Sequence, residues 1–411
     1  MPQKICVNGR EYNWPMRPTV VVCVDGCEPD YIEQAVAAGA MPFTEAMRKR
    51  GADLRADGVV PSFTNPNNLS IVTGVTPAVH GICGNYFLDP ATGSAVMMND
   101  PSYLRCDTLL AAFAAAGARV AVVTAKDKLR SLLGHALPIE NGNAVCFSAE
   151  KADQADLETH GIAEVLNLVG QPLPPVYSAE LSEFVFAAGV RLLESAYWDL
   201  MYLSSTDYIQ HKFAPGTPSA NSFYAMLDGY LSQLDALGIT LAITADHGMK
   251  PKHDRAGRPN VIYLQLLLDE WLGAGKANVI LPITDPYVVH HGAFGSFALI
   301  YLASEQDADR IAERLAGTEG ILEVLPRPAG CARFGLPPDR EGDLIVISTA
   351  EQTFGTRPEH HDLGQLNTPL RSHGGITEQR VPMLLNRRCQ RIDPAVKLRN
   401  FDAFFLALNS V

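Results

Sequence analysis

No apolar run in this sequence reaches the ~18 residues that a membrane-spanning helix needs; Leu109 to Ala116 is apolar but soon meets Arg119. The N-terminus lacks the basic-then-apolar pattern of a secretory leader, so the expectation is a cytoplasmic protein with no membrane partner. There is no Walker loop, no G-x-G-x-x-G, no internal repeat and no low-complexity segment. Positive charge is in deficit: 33 Lys and Arg stand against 45 Asp and Glu, a formal net charge of −12 at pH 7. A general nucleic-acid binder carries a basic face instead, so no nucleic-acid partner is expected. An anionic small molecule is not excluded, because local charge decides that. The eight cysteines show no C-x-x-C spacing, and several, such as Cys23, sit inside apolar runs. They read as reduced packing residues, not as a disulfide framework or a zinc knuckle.

What the chain does have is a set of apolar, β-branched runs that end abruptly in chemistry-bearing residues. Ile239 to Ile243 runs into Ala245-Asp246-His247-Gly248, and Thr19 to Val24 runs into Asp25-Gly26. Continuous apolar runs of this length read as buried strands of a parallel sheet. Further strands are expected at 120–124, 198–203, 343–348 and 381–385. Helices are expected to start near Asp30 and to cover 107–117, 178–195, 219–237 and 307–316. The implied fold class is α/β, a mainly parallel central sheet with helices on both faces. At 411 residues there is room for an insertion. The Pro- and Gly-rich texture of 251–368 marks an α+β cap domain inserted into a core made of 1–250 and 369–411.

In open α/β sheets ligands bind past the carboxyl ends of the strands. Asp246 and His247 arrive there side by side, with Gly248 expected to let the backbone turn so that both converge on one ion. Asp25 stands at another strand end, where it reads either as a turn residue or as a ligand. Asp207 and His211 follow the 198–203 strand four apart, a spacing that puts both on one face of a helical turn and suits two ligands of one metal. Thr64, in Pro61-Ser62-Phe63-Thr64-Asn65-Pro66, either caps a helix or presents a nucleophilic hydroxyl to the positive end of its dipole. Asn85 is placed to hydrogen-bond a phosphoryl oxygen, whereas His80 reads as structural. Lys126 and Lys128 follow another strand; if the chain stays extended they project to the same side and concentrate positive charge there. His373 lies in a Gly-rich loop before the last strand, free to reach the sheet edge. The pairs His290-His291 and His360-His361 are competing ligand candidates inside the insertion. Collected, the carboxylates and imidazoles divide into two metal sites: Asp207, His211 and His373 in one, and Asp25, Asp246, His247 and Thr64 in the other. Histidine and aspartate shells of this kind suit catalytic zinc, and two metals about 4 Å apart clamp an in-line displacement at phosphorus.

The combination of D-G at Asp25, T-N-P at Thr64, T-G-V-T-P-A-V-H-G-I, D-Y-I-Q-H, A-D-H-G-M and S-H-G-G resembles the alkaline phosphatase superfamily. It is closest to the nucleotide pyrophosphatase/phosphodiesterase branch, which uses threonine where alkaline phosphatases use serine. Within that branch, S-F-T-N-P-N-N together with T-A-K-D-K-L-R resembles the phosphonoacetate hydrolases. The resemblance implies two Zn2+ held by Asp25, Thr64, Asp207, His211, Asp246, His247 and His373. It implies a small anionic phosphonate substrate met by Asn85, Lys126, Lys128, His211 and His373, and Thr64 as nucleophile. A homodimer is compatible with the sequence. The rival readings are a phosphodiesterase or nucleotide pyrophosphatase with the same metals, a phosphomonoesterase or mutase, and a non-catalytic metal- or anion-binding protein.

Overall fold

The computed structural model describes residues 3–89, 92–283, 294–390, 392 and 395–411; the His290-His291 pair lies outside them. A seven-stranded sheet is built from β1 (Thr19–Cys23), β2 (Ala52–Asp57), β3 (Val120–Thr124), β4 (Ala144–Ser148), β5 (Leu200–Ser204), β6 (Thr240–Thr244) and β11 (Arg380–Leu385). A second, four-stranded sheet holds β7 (Ala277–Ile280), β8 (Phe297–Leu302), β9 (Ile321–Pro326) and β10 (Leu344–Ser348).

The large sheet has the order β2-β11-β6-β1-β5-β3-β4. The ladder from β6 to β4 is parallel throughout, and β11 alone runs against its neighbours β6 and β2. β1, β3, β4, β5 and β6 are buried at every position. That is why they read as unbroken apolar runs: a parallel strand covered on both faces has no solvent side to alternate with. The covering helices form two groups. Pro29–Ala37, Pro42–Arg50, Glu180–Ser195 and Pro218–Ala236 pack together, as do Thr64–Thr73, Leu109–Ala115 and Ala403–Asn409.

The helix after β1 starts at Pro29 with Glu28 as its N-cap, so Asp30 sits inside the first turn and is not the cap. An acidic side chain there still complements the helix dipole. The 107–117 helix is trimmed to Leu109–Ala115 because the Thr108 side chain caps it by accepting from Ala111 N–H.

The insertion carries β7 to β10 in the antiparallel order β7-β8-β10-β9, with helices Leu264–Leu272, Ala308–Ala316 and Arg327–Phe334. All eight cysteines are unpaired. Among the described residues no helix is long and apolar enough to cross a membrane.

Candidate active site

Neighbouring parallel strands deliver the site. Asp246 and His247 follow β6, Asp25 follows β1, Asp207 follows β5 and Lys126 follows β3, and these four strands lie side by side in that order. The carboxyl ends of the strands therefore bring aspartates that are far apart in sequence within reach of one another. His211 comes one helical turn after Asp207. The helix Tyr208–Lys212 has Asp207 as its N-cap residue, yet that carboxylate makes no capping bond. Instead its Oδ2 lies 2.9 Å from His211 Nε2 and 3.6 Å from His373 Nε2.

On the other side His247 Nε2 is 3.3 Å from Asp25 Oδ1, 3.6 Å from Asp246 Oδ2 and 3.4 Å from Thr64 Oγ1. Ligand atoms of Asp207, His211 and His373 lie within 4.8 Å of one another, and so do those of Asp25, Asp207 and His247. Asp207 thus stands between the two groups. Asp246 joins the second group through His247.

The imidazoles are oriented alike. His211 Nδ1 bonds Arg371 O at 2.9 Å, His247 Nδ1 bonds Gly248 O at 2.9 Å and His373 Nδ1 bonds Ser62 O at 2.7 Å. With Nδ1–H donating to a carbonyl, each ring turns the lone pair of Nε2 toward the aspartates, the arrangement that prepares histidine for a metal. The rings of His247 and His373 stack at 3.6 Å. Asp25 Oδ1 is buried and accepts no hydrogen bond from the protein, an atom that an ion would satisfy. Burial, and then the charges of Asp207 and Asp246, raise the Asp25 pKa well above the carboxylate range. Burial opposes ionisation of Asp207 as well, but His211 and His373 beside it prevail and hold its pKa low. Burial, with His247 next to it, pushes His373 well below the usual imidazole value. A buried set of converging carboxylates and imidazoles whose Nε2 atoms lie toward them fits divalent cations.

Surrounding groups fix this set. Asp246 Oδ1 accepts from Gly26 N–H at 3.2 Å and from its neighbour His247 N–H at 2.9 Å, and Asn68 Nδ2 reaches Asp246 Oδ2 at 3.3 Å. Asn68 is held in turn by Tyr202 and Ser204 hydroxyls on β5. Gly26 takes φ +70°, and a Cβ on it would sit 2.9 Å from Asp207 Cβ, so only glycine lets the two strand ends approach. Gly248 plays a different part from the one expected. Its φ is not in the left-handed region; what it needs is space, since a Cβ would meet Glu28 Cβ at 3.0 Å.

A cleft beside the clusters is lined by Asp25, Thr64, Asn85, Lys126, Lys128 and Asp207, and also by Met97, Asn99 and Thr206. Thr64 is the first residue of the helix Thr64–Thr73, and Phe63 is its N-cap. The Thr64 hydroxyl therefore lies among the unpaired N–H groups of that helix end. The chain does not stay extended after β3: a helix begins at Asp127, with Lys126 as its N-cap. Both lysines line the cleft all the same. Asn85 Nδ2 donates to Ile283 O at 3.2 Å. His80 is buried between Ser70 Oγ and Ile82 N–H, and burial lowers its pKa to about 3, so it is structural. His360 and His361 bond Thr356, within the insertion.

Several further residues support the site. Asn68 was legible, four residues beyond Thr64 and so on the same helical face. Arg371 bonds Gln210 O, the Tyr31 hydroxyl and Met249 O, and its own carbonyl orients His211. Lys252 and Glu378 form a fully buried ion pair at 2.9 Å, and Glu378 Oε2 accepts from Gly375 N–H in the His373 loop. No local pattern announces either.

The profile of the type I phosphodiesterase / nucleotide pyrophosphatase family matches residues 19–376, a span that holds the aspartates and histidines of both clusters, Thr64, Asn85, Lys126 and Lys128. The chain belongs to that family. Within it, the chain is similar over its whole length to phosphonoacetate hydrolase from Sinorhizobium meliloti 1021, solved in complex with phosphonoformate and with phosphonoacetate. The identity is 57%, covering 100% of this chain and 99% of that one, with a TM-score of 0.97. An uncharacterized pyrophosphatase/phosphodiesterase of Schizosaccharomyces pombe is 23% identical over 252 residues, which is 57% of this chain and 45% of that protein. The chain spans less than half the length of the curated relatives it matches. Murine ectonucleotide pyrophosphatase / phosphodiesterase 5, solved with AMP, shares the fold at 18% identity and TM-score 0.62, covering 96% of each chain.

Proposed function

We propose that this member of the family hydrolyses the carbon–phosphorus bond of phosphonoacetate to acetate and phosphate, using two zinc ions and a phospho-threonine intermediate on Thr64. The observation that carries the reading is one cleft that holds Thr64, Asn85, Lys126 and Lys128 beside the aspartate–histidine clusters. The full-length likeness to a protein solved with phosphonoacetate supports it.

Asp207, His211 and His373 would hold one ion, and Asp25, Asp246, His247 and the Thr64 oxygen the other. Bound there, divalent ions supply charge that balances the carboxylates and the phosphoryl group and lower the pKa of a ligating hydroxyl. Thr64 gives up its hydroxyl proton to solvent, Oγ1 attacks phosphorus and the carbon–phosphorus bond breaks. The bonding pair leaves on the methylene carbon and delocalises into the neighbouring carboxylate as an enediolate. Lys126 and Lys128 face that carboxylate and stabilise the charge as it develops. Asn85 has a second amide N–H for a phosphoryl oxygen, and His211 and His373, grouped with the cleft residue Asp207, are the further substrate contacts in this reading. A proton from solvent completes acetate. Water then hydrolyses the phospho-threonine, releasing phosphate and restoring Thr64. Residues 251–368 form the cap over the core of 1–250 and 369–411 in this reading.

Replacing Lys126 or Lys128 by alanine tests the substrate assignment. Each change should reduce phosphonoacetate cleavage on the order of 10²-fold, the loss typical of one transition-state charge stabiliser. Cleavage of a nitrophenyl phosphate ester should fall far less. Equal losses on both substrates would assign the lysines a structural role.

A further inference from the structure

Lys126 is held from outside the cleft. Its Nζ donates to Val176 O at 3.4 Å and lies 4.8 Å from the centroid of the Tyr177 ring. An ammonium over an aromatic face is attracted by the ring quadrupole. The segment that brings the ring is stiff: Gln171-Pro172-Leu173-Pro174-Pro175-Val176-Tyr177 has three prolines, whose φ is fixed. The Ser178 hydroxyl donates to Pro175 O at 2.8 Å and closes the turn. The helix Glu180–Ser195 begins at once and packs on β5 and β3. The ring is thus anchored to the sheet through the helix that follows it. Yet Tyr177 is 57% exposed, which is much for an aromatic side chain whose only purpose is packing.

We propose that Tyr177 is a specificity-determining residue that positions Lys126. Its ring and the Val176 carbonyl restrict the long side chain to the orientations that face a substrate carboxylate. Lysine otherwise gives up rotamer freedom each time it binds an anion. The residue touches no reacting atom and acts through Lys126. The inference rests on the reading of Lys126 as the carboxylate partner.

The test compares wild type, Tyr177→Ala, Tyr177→Phe and Lys126→Ala on phosphonoacetate and on a nitrophenyl phosphate ester that carries no carboxylate. The readout is the ratio of kcat/KM for the two substrates. Tyr177→Ala should lower that ratio about two- to five-fold, the range that an exposed cation–π contact supports, chiefly through KM for phosphonoacetate. Tyr177→Phe keeps the ring face and should restore most of the ratio. An unchanged ratio in Tyr177→Ala, or a Phe variant no better than the Ala variant, overturns the inference. Wild type inert toward phosphonoacetate overturns the functional reading and this inference with it. Active wild type whose ratio falls in Lys126→Ala but holds in Tyr177→Ala overturns this inference alone.

Discussion

Thr64 occupies the first position of a helix that is buried at every residue from Pro66 to Thr73, so its hydroxyl is fixed by the packing of the whole element. Thr64→Ala should lower turnover by about 10³-fold or more while zinc, counted by elemental analysis, stays bound; retained turnover contradicts the assignment. A second residue-scale prediction concerns Glu341, buried just ahead of β10, where burial raises its pKa to about 8 against the opposing effect of the Cys83 thiol and Arg327. The folded protein keeps a proton that the unfolded chain releases near pH 4.5. Stability from this group is therefore complete at low pH and is lost as pH rises toward 8, by about 5 kcal/mol at most. Glu341→Gln should raise the melting temperature more at pH 9 than at pH 5. A gain equal at both pH values would show that Glu341 ionises normally.

At the scale of elements, the strand ends were legible because a buried parallel strand announces itself as an apolar run and the residue that breaks the run marks its carboxyl end. Asp25, Asp207 and Asp246 could be placed on one edge of the sheet for that reason. What was not legible is long-range: that β11 runs against its neighbours, that Arg371 presents its carbonyl to His211, and that Lys252 pairs with Glu378. These depend on how distant segments meet, and periodicity carries no record of it. The expectation that Lys126 and Lys128 share a side through an extended backbone failed because Asp127 opens a helix. The lysines reach the cleft with Lys126 at the N-cap position of that helix and Lys128 in its first turn.

The Lys252–Glu378 pair has a measurable consequence. Lys252→Met leaves a buried carboxylate uncompensated and should cost about 3–5 kcal/mol, read from denaturant midpoints. Because Glu378 also holds Gly375 N–H, zinc affinity should weaken at the cluster containing His373. A stability loss with both zinc affinities intact would detach the pair from the site. Gly26→Ala tests the approach of two strand ends, since its Cβ would collide with Asp207. It should impair zinc binding beyond the roughly 1–2 kcal/mol that a left-handed residue costs.

For the whole molecule, the proposed cations would balance a sheet edge crowded with aspartates and imidazoles. Removing metal with a chelator should lower the melting temperature, and a thousandfold excess of zinc over its dissociation constant should restore about 4 kcal/mol. In the proposed function this charge balance and the paired lysines serve phosphonoacetate. The direct measurement is phosphate release by zinc-loaded protein from phosphonoacetate, run beside a nitrophenyl phosphodiester and a simple alkylphosphonate. Release should be fast from phosphonoacetate and absent from the alkylphosphonate, because only phosphonoacetate offers a carboxylate to accept the electron pair of the breaking carbon–phosphorus bond, and the nitrophenyl diester should be cleaved far more slowly than phosphonoacetate. Rapid nitrophenol release with phosphonoacetate inert would contradict the proposed function and leave a phosphodiesterase built on the same metal site.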